Sequence, residues 1–238
     1  MENSLKLGWP LLMQSSYFGR IKNLFGANLI AYWPLNETSG AQAKDDSGNA
    51  RHGTYTGPSL ANIASPVGRM APYFDGVNDF VAVSSAGLSA AFDGAEGTVS
   101  IWFKVVNAAE WADASERKTF LFTNGADRVS IKKVVGGIYY DYTAGGVSKE
   151  KNIIGQSSVD WINVALSWSA TSDEAKCFQA GILKFTLNGL GVWGANIGNA
   201  FIGKDGVFAG HQWKGWLAHC FILDRIMTNT EAAAAGRR

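Results

Sequence analysis

Short apolar segments with strand-like alternation follow one another from Leu29 to Arg225, and most end in a turn built from Gly, Asn or Asp. GTVSIWFKV shows the pattern: Val99, Ile101 and Phe103 fall on one face of a strand, and Ser100, Trp102 and Lys104 on the other. LIAYWPL, KTFLFT, RVSIKKV, GIYYDYT, WINVALSWS and WKGWLAHCFILDR belong to the same class, and CFQAGILKFTLNG reads as one longer strand. Gly136 and Gly137, between two of these runs, mark a hairpin. The 28 glycines, against 5 prolines and no low-complexity run, are then turn and bulge residues. Roughly a dozen strands with short turns and no intervening helices exclude an α/β fold and predict an antiparallel, all-β sandwich. The 238 residues fit one such domain, since sandwiches of this size commonly form a single unit.

The boundaries follow from the same pattern. Residues 1–28 form an N-terminal extension, and residues 29–238 form the sandwich. In the extension, Phe18, Ile21 and Phe25 recur at helical spacing, so SYFGRIKNLFG reads as a short amphipathic helix. Two uses are open to it: packing onto the sandwich, or docking on a copy of the chain or on a larger assembly through Trp9, Phe18, Ile21 and Phe25. The tail TNTEAAAAGRR reads as a helical turn capped by Thr228 or Thr230 and stopped at Gly236. Cys177 and Cys220 lack metal-type spacing and read either as buried thiols or as one bridge between neighbouring strands.

Charge and hydropathy exclude two classes of partner. A net charge of +1 offers no basic field for nucleic acid. No run approaches the ~20 apolar residues of a membrane span. The polar interruptions at Pro10, Gln14 and the following serines exclude a secretory signal in residues 1–26, so the expectation is a chain made in the cytoplasm.

Several ordered motifs carry more information than any one alone. Tyr32-Trp33-Pro34-Leu35 closes the first strand; Asp46-Ser47-Gly48-Asn49 leads to His52-Gly53-Thr54; Phe74-Asp75-Gly76 leads to Asn78-Asp79. Thr98 to Phe103, Trp161 to Ala165, Leu187-Asn188-Gly189, Phe201-Ile202-Gly203 and Trp216 to Arg225 complete the series. Over about residues 29–231 this series resembles the laminin-G-like, concanavalin A-like lectin/glucanase superfamily, which implies a concanavalin A-like jelly roll. Read on their own, the Asp, Asn and Gly residues are turn chemistry: Asp46 accepts backbone N–H groups and Asp75 caps a bend.

The resemblance also implies a calcium ion, for which Asp46, Asn49, Asp75 and Asp79 are the candidate ligands, since calcium takes about six to eight oxygens. Glucanases of this superfamily carry paired carboxylates on alternate residues of one strand; this chain has no such spacing, and the expectation is a protein without catalytic residues. Trp102, Trp161, Trp168 and Trp216 lie in strands and read as core. Trp111, Trp193 and Trp213 lie in loops and, with Tyr140 and Tyr142 on one strand face, are the candidate ligand contacts. The function expected is a structural or binding protein of a phage virion (a capsid decoration, head-fibre or tail-associated protein). Its partners would be other virion proteins or its own copies, with cell-surface glycan as a further ligand. The alternative is a stand-alone carbohydrate-binding lectin-type module for adhesion.

Overall fold

The computed structural model describes residues 16–194, 196–205 and 210–238. The chain begins with helix α1 (Tyr17–Phe25), then β1 (Leu29–Trp33), β2 (Gln42–Ala43), β3 (Gly53–Thr56), β4 (Ser59–Ala64), β5 (Met70–Asp75) and β6 (Phe80–Ala82). Helix α2 (Ala86–Ala91) precedes β7 (Glu96–Val105), β8 (Arg117–Thr123), β9 (Arg128–Val134), β10 (Gly137–Ala144) and β11 (Val147–Ile154). Strands β12 (Ile162–Ser169), β13 (Glu174–Gln179), β14 (Ile182–Asn188), β15 (Asn199–Ile202) and β16 (Lys214–Leu223) lead to α3 (Asn229–Ala235).

Two antiparallel sheets face each other. The first runs β14-β13-β12-β7-β16-β5-β4, with β1 also paired to β16; the second runs β11-β10-β9-β8-β15-β6-β3-β2. Alternation sets the core between them: Val99, Ile101 and Phe103 of β7 and Val164, Leu166 and Trp168 of β12 meet Phe120 and Phe122 of β8 and Val129 and Ile131 of β9. The predicted strand over residues 177–189 is instead a hairpin, β13 to β14. Ala180 and Gly181 both take positive φ (51° and 73°), the backbone of a tight two-residue turn. Cys177 and Cys220 are buried and free, so no bridge joins their strands.

A second apolar layer lies on the outer face of the first sheet. Trp102, Ala165, Phe178, Phe221 and Leu223 point away from the sandwich and are covered by Tyr17, Ile21 and Phe25 of α1 and Met227, Ala232 and Ala235 at α3. The Trp102 indole N–H donates to the Tyr17 hydroxyl (3.0 Å), which donates to the Ala235 carbonyl (2.9 Å). Burying Tyr17, Ile21 and Phe25 stabilises by about 1.5–3 kcal/mol for each side chain. The helix predicted in the extension is therefore present, but its apolar stripe is used inward. Ile21 and Phe25 are buried and Phe18 stacks on Tyr32 at 5.0 Å, so these three do not form an open assembly face; Trp9 lies outside the described residues. Helix α3 ends the chain as predicted: Thr228 and Glu231 form a capping box, and Gly236 follows the last turn.

Strand β16 carries a bulge between Ala218 and Phe221, where His219 takes a left-handed φ of 51°. Both ring nitrogens are engaged, Nδ1 with the Tyr32 hydroxyl (2.7 Å) and Nε2 with Ser65 Oγ (3.1 Å). No helix among the described residues is long and apolar enough to cross a membrane.

Candidate functional site

Strand alternation that fills the core with one set of side chains sends the other set outward, and on β8–β11 that outward set is almost wholly polar. Register places Lys118, Lys132, Tyr139 and Asn152 in one cross-strand row. Leu121, Ser130, Asp141 and Glu150 make the next, and Thr123, Arg128, Thr143 and Ser148 the third. A cleft of about 250 Å³ opens over these rows, walled on one side by Glu116, Asp205 and His211.

The charges in this cleft are buried in a way that outward sheet residues seldom are. Asp141 is 2% exposed, and Lys118 and Asp205 are each 5% exposed. Asp141 accepts from the Arg128 guanidinium, from the Thr143 hydroxyl (3.0 Å) and from Ser130 Oγ (3.4 Å). Lys118 donates to Ser130 Oγ (3.3 Å) and lies 3.6 Å from Asp205, whose carboxylate also meets His211 Nδ1 at 3.2 Å. Lys132 donates to Glu116 (2.7 Å) and sits 4.6 Å from the Tyr139 ring centre, while the Tyr139 hydroxyl donates to Glu150. Burial lowers the Lys118 ammonium below its ordinary range, with Asp205 acting against that shift. Burial works to raise Glu116 and the Lys132 pairing to lower it; the pairing prevails.

Beyond β8 the same face turns aromatic. Phe201 of β15 and Phe80 of β6 lie edge to face at 5.9 Å, both half-buried, with the Lys204 ammonium 4.1 Å from one ring centre and 5.1 Å from the other. The face thus joins charged and hydroxyl hydrogen-bonding groups to an aromatic ring pair.

The residues singled out in the sequence lie elsewhere. Trp111, Trp193 and Trp213 sit in loops but are buried, because they plug the ends of the sandwich. Trp111 and Trp213 pack on Phe103 (6.1 and 5.0 Å between rings) and Trp193 on Phe92 (5.3 Å). Tyr140 and Tyr142 share a strand face, but it is the inward one; their hydroxyls donate to the Phe178 and Gly191 carbonyls inside the protein. Trp111, Trp213, Tyr140 and Tyr142 thus turn their rings inward, while Trp193, 8% exposed, keeps an edge in a depression lined by Ala90–Gly94 and Asn196. The outward residues of β10 are Tyr139, Asp141 and Thr143. Trp102 and Trp168 are buried as expected, whereas Trp161 and Trp216 are half-buried on the outside of the first sheet.

The acidic turns are organised by their own local bonds. The turn-organising carboxylate after β1 is Asp45 rather than Asp46. It accepts from the backbone N–H groups of Tyr32, Ser47 and Arg51, each at 2.9 Å, while Asp46 pairs with Lys44. Asn49 spends its amide on the Leu29 and Ile30 carbonyls. Asp75 caps its own bend through Val77 N–H (2.7 Å), and Asp79 accepts from Asp75 N–H (2.8 Å). Among the described residues no group of three or more His, Cys, Asp or Glu side chains is placed to hold a metal ion.

Two other depressions are less suited to a ligand. One of about 330 Å³, beside Ser84–Ser89 and Ile197–Ala200, is lined by no charged group. The other, about 370 Å³ between α1 and Arg69, has His219 in its lining, and that ring is already bonded to Tyr32 and Ser65.

No protein-family model and no curated protein sequence matches the chain. Solved structures do match. The binding domain of botulinum neurotoxin serotype D superposes with a TM-score of 0.68 at 13% identity, covering 88% of this chain and 51% of that one. Domain 4 of AbnA, a GH43 extracellular arabinanase from Geobacillus stearothermophilus, in complex with arabinotriose, gives 0.65 at 16% identity, covering 88% and 98%. Trypanosoma rangeli sialidase in complex with sialic acid gives 0.63 at 10% identity, covering 88% and 33%. The chain spans about half the length of the neurotoxin structures. At these identities the likeness establishes the β-sandwich fold, which binding domains and parts of enzymes share.

Proposed function

We propose that this protein is a non-enzymatic glycan-binding domain that holds an oligosaccharide on the outer face of its second sheet. The observation that carries the reading is the polar lattice of β8–β11. Removing a charge from water costs several kcal/mol even after relaxation, and an apolar face covered by a helix, as on the first sheet, stabilises at no such cost. Buried ions held at the mouth of an open cleft are instead suited to a ligand that needs fixed donors and acceptors. The arabinotriose complex of the arabinanase domain shows that this sandwich accommodates a sugar in another protein, which supports the reading.

Asp141 stands opposite Glu150 across β10 and β11, the nearest approach in this cleft to a paired-carboxylate hydrolase. Both act as acceptors, from Arg128, Thr143 and Tyr139, whereas hydrolysis needs one of such a pair to donate a proton. Display on a virion surface stays part of the proposal as its setting. Near-neutral charge is compatible with that setting, on which the groove does not bear.

Arg128→Gln keeps a donor near Asp141 but loses the planar fork. It is expected to weaken binding of the best ligand from a glycan array about tenfold, the value of one charge-assisted contact. Titration calorimetry on both proteins measures this; unchanged affinity would remove the groove from the account.

A further inference from the structure

Building on the glycan-binding reading, we infer that the groove selects uncharged oligosaccharides and excludes acidic ones. Among the described residues, every cation over β8–β11 that faces it is already paired with a carboxylate. Lys132 is held by Glu116 at 2.7 Å, Lys118 by Asp205 at 3.6 Å, and Arg128 by Asp141 and, at 3.6 Å, by Glu150. Lys204, at the aromatic end, lies over the Phe80 and Phe201 rings. Over β8–β11, Lys118, Arg128 and Lys132 thus face the four carboxylates Glu116, Asp141, Glu150 and Asp205. A sialic or uronic acid group lying over β8–β11 would have to displace a carboxylate already in place, or lie beside Asp141, Glu150 and Asp205 with no cation to itself. That arrangement rejects anions by unpaired like charge and leaves hydroxyl recognition intact.

The extent of the face fits a short chain of sugar rings. From β10 across β9, β8 and β15 to β6 the strands span about 19 Å, at about 4.8 Å per step. Hydroxyl partners concentrate at the β9–β11 end, and the Phe80–Phe201 ring pair with Lys204 lies at the other.

Calorimetry with neutral probes (arabinotriose, cellotetraose) and acidic probes (sialyllactose, tetragalacturonate) tests this. The wild type is expected to bind a neutral probe with little dependence on salt and to bind neither acidic one. Glu116 and Glu150 have side chains 39% and 40% exposed, so the double variant Glu116→Gln, Glu150→Gln should fold normally. With Lys132 and one arm of Arg128 released, it should show tetragalacturonate binding that the wild type lacks. Acidic probes binding the wild type as tightly as neutral ones would overturn the selectivity and leave glycan binding standing. A neutral-binding wild type whose double variant gains nothing would overturn the role of the ion pairs. Binding of no probe in either class, with the array also blank, would overturn the glycan reading itself.

Discussion

Acidification destabilises this protein by several kcal/mol between neutral pH and about pH 3, and His219→Asn removes most of that loss. Burial holds the His219 imidazole neutral, and the Arg69 charge adds to the effect, lowering its pKa from 6.5 to about 3. Between these values the unfolded chain binds a proton that the folded one refuses, so stability rises with pH across that window. The contribution is fully present above about 6.5 and is lost as pH falls, at about 1.4 kcal/mol per unit, approaching 5 kcal/mol near pH 3. Asn is the appropriate replacement because position 219 has a φ of 51°, which Asn tolerates better than other residues with a Cβ. Carboxylates also titrate in this range, but they do so in both proteins and cancel in the comparison. Urea unfolding at several pH values should show the wild type falling away from the variant below pH 6. Parallel curves would mean that His219 takes up its proton without unfolding anything.

The largest loss at neutral pH is expected from Trp102→Ala. Trp102 is 2% exposed although it points out of the sandwich, because α1 covers it. Truncation leaves a cavity beneath Tyr17 and takes away the indole N–H that its hydroxyl accepts. Such substitutions cost about 3–5 kcal/mol. For a chain of this size that lowers the melting temperature by roughly 6–20 °C. Trp216→Ala is the control. Trp216 also lies on the outer face of that sheet, but it is half-buried and bonds the exposed Asn62, so its loss should cost far less. Equal melting shifts for the two variants would contradict the docking of α1 as part of the fold.

The contrast between these two tryptophans also shows what the sequence could convey. Strand alternation announced both sheets, because a residue period of two is local and the inner face of β7 reads directly as Val99, Ile101 and Phe103. It could not announce which outward faces would be covered. Trp102 and Trp216 occupy equivalent phases of their strands, and only the position of α1 separates them. The same limit put buried side chains among the candidate ligand contacts. Tyr140 and Tyr142 were the conspicuous pair on β10, but phase alone does not distinguish inside from outside when both sets are large. Val129 and Ile131 on the neighbouring strand, aligned with Tyr142 and Tyr140, were the available signal for the inward face.

Loop tryptophans suggested exposure, yet a sandwich has open ends that need plugs, and Trp111, Trp193 and Trp213 fill them. Strand β11, VSKEKNII, lacks the apolar alternation that marks the other strands. Charge is how an edge strand avoids pairing with another chain, and this edge supplies Glu150 to the groove. The acidic turns conveyed their turn chemistry correctly, one residue out of place at Asp45. Whether distant turns share an ion depends on tertiary approach that no local pattern holds.

Nitrogen–proton NMR of the labelled protein, titrated with the neutral oligosaccharide that binds best, tests the central claim most directly. The account predicts shift changes at Lys118, Ser130, Lys132, Tyr139, Asp141 and Glu150, with the outer face of the first sheet unmoved. Changes centred instead on Tyr73, Trp161 and Trp216 would contradict it and move the binding site to the opposite side of the sandwich.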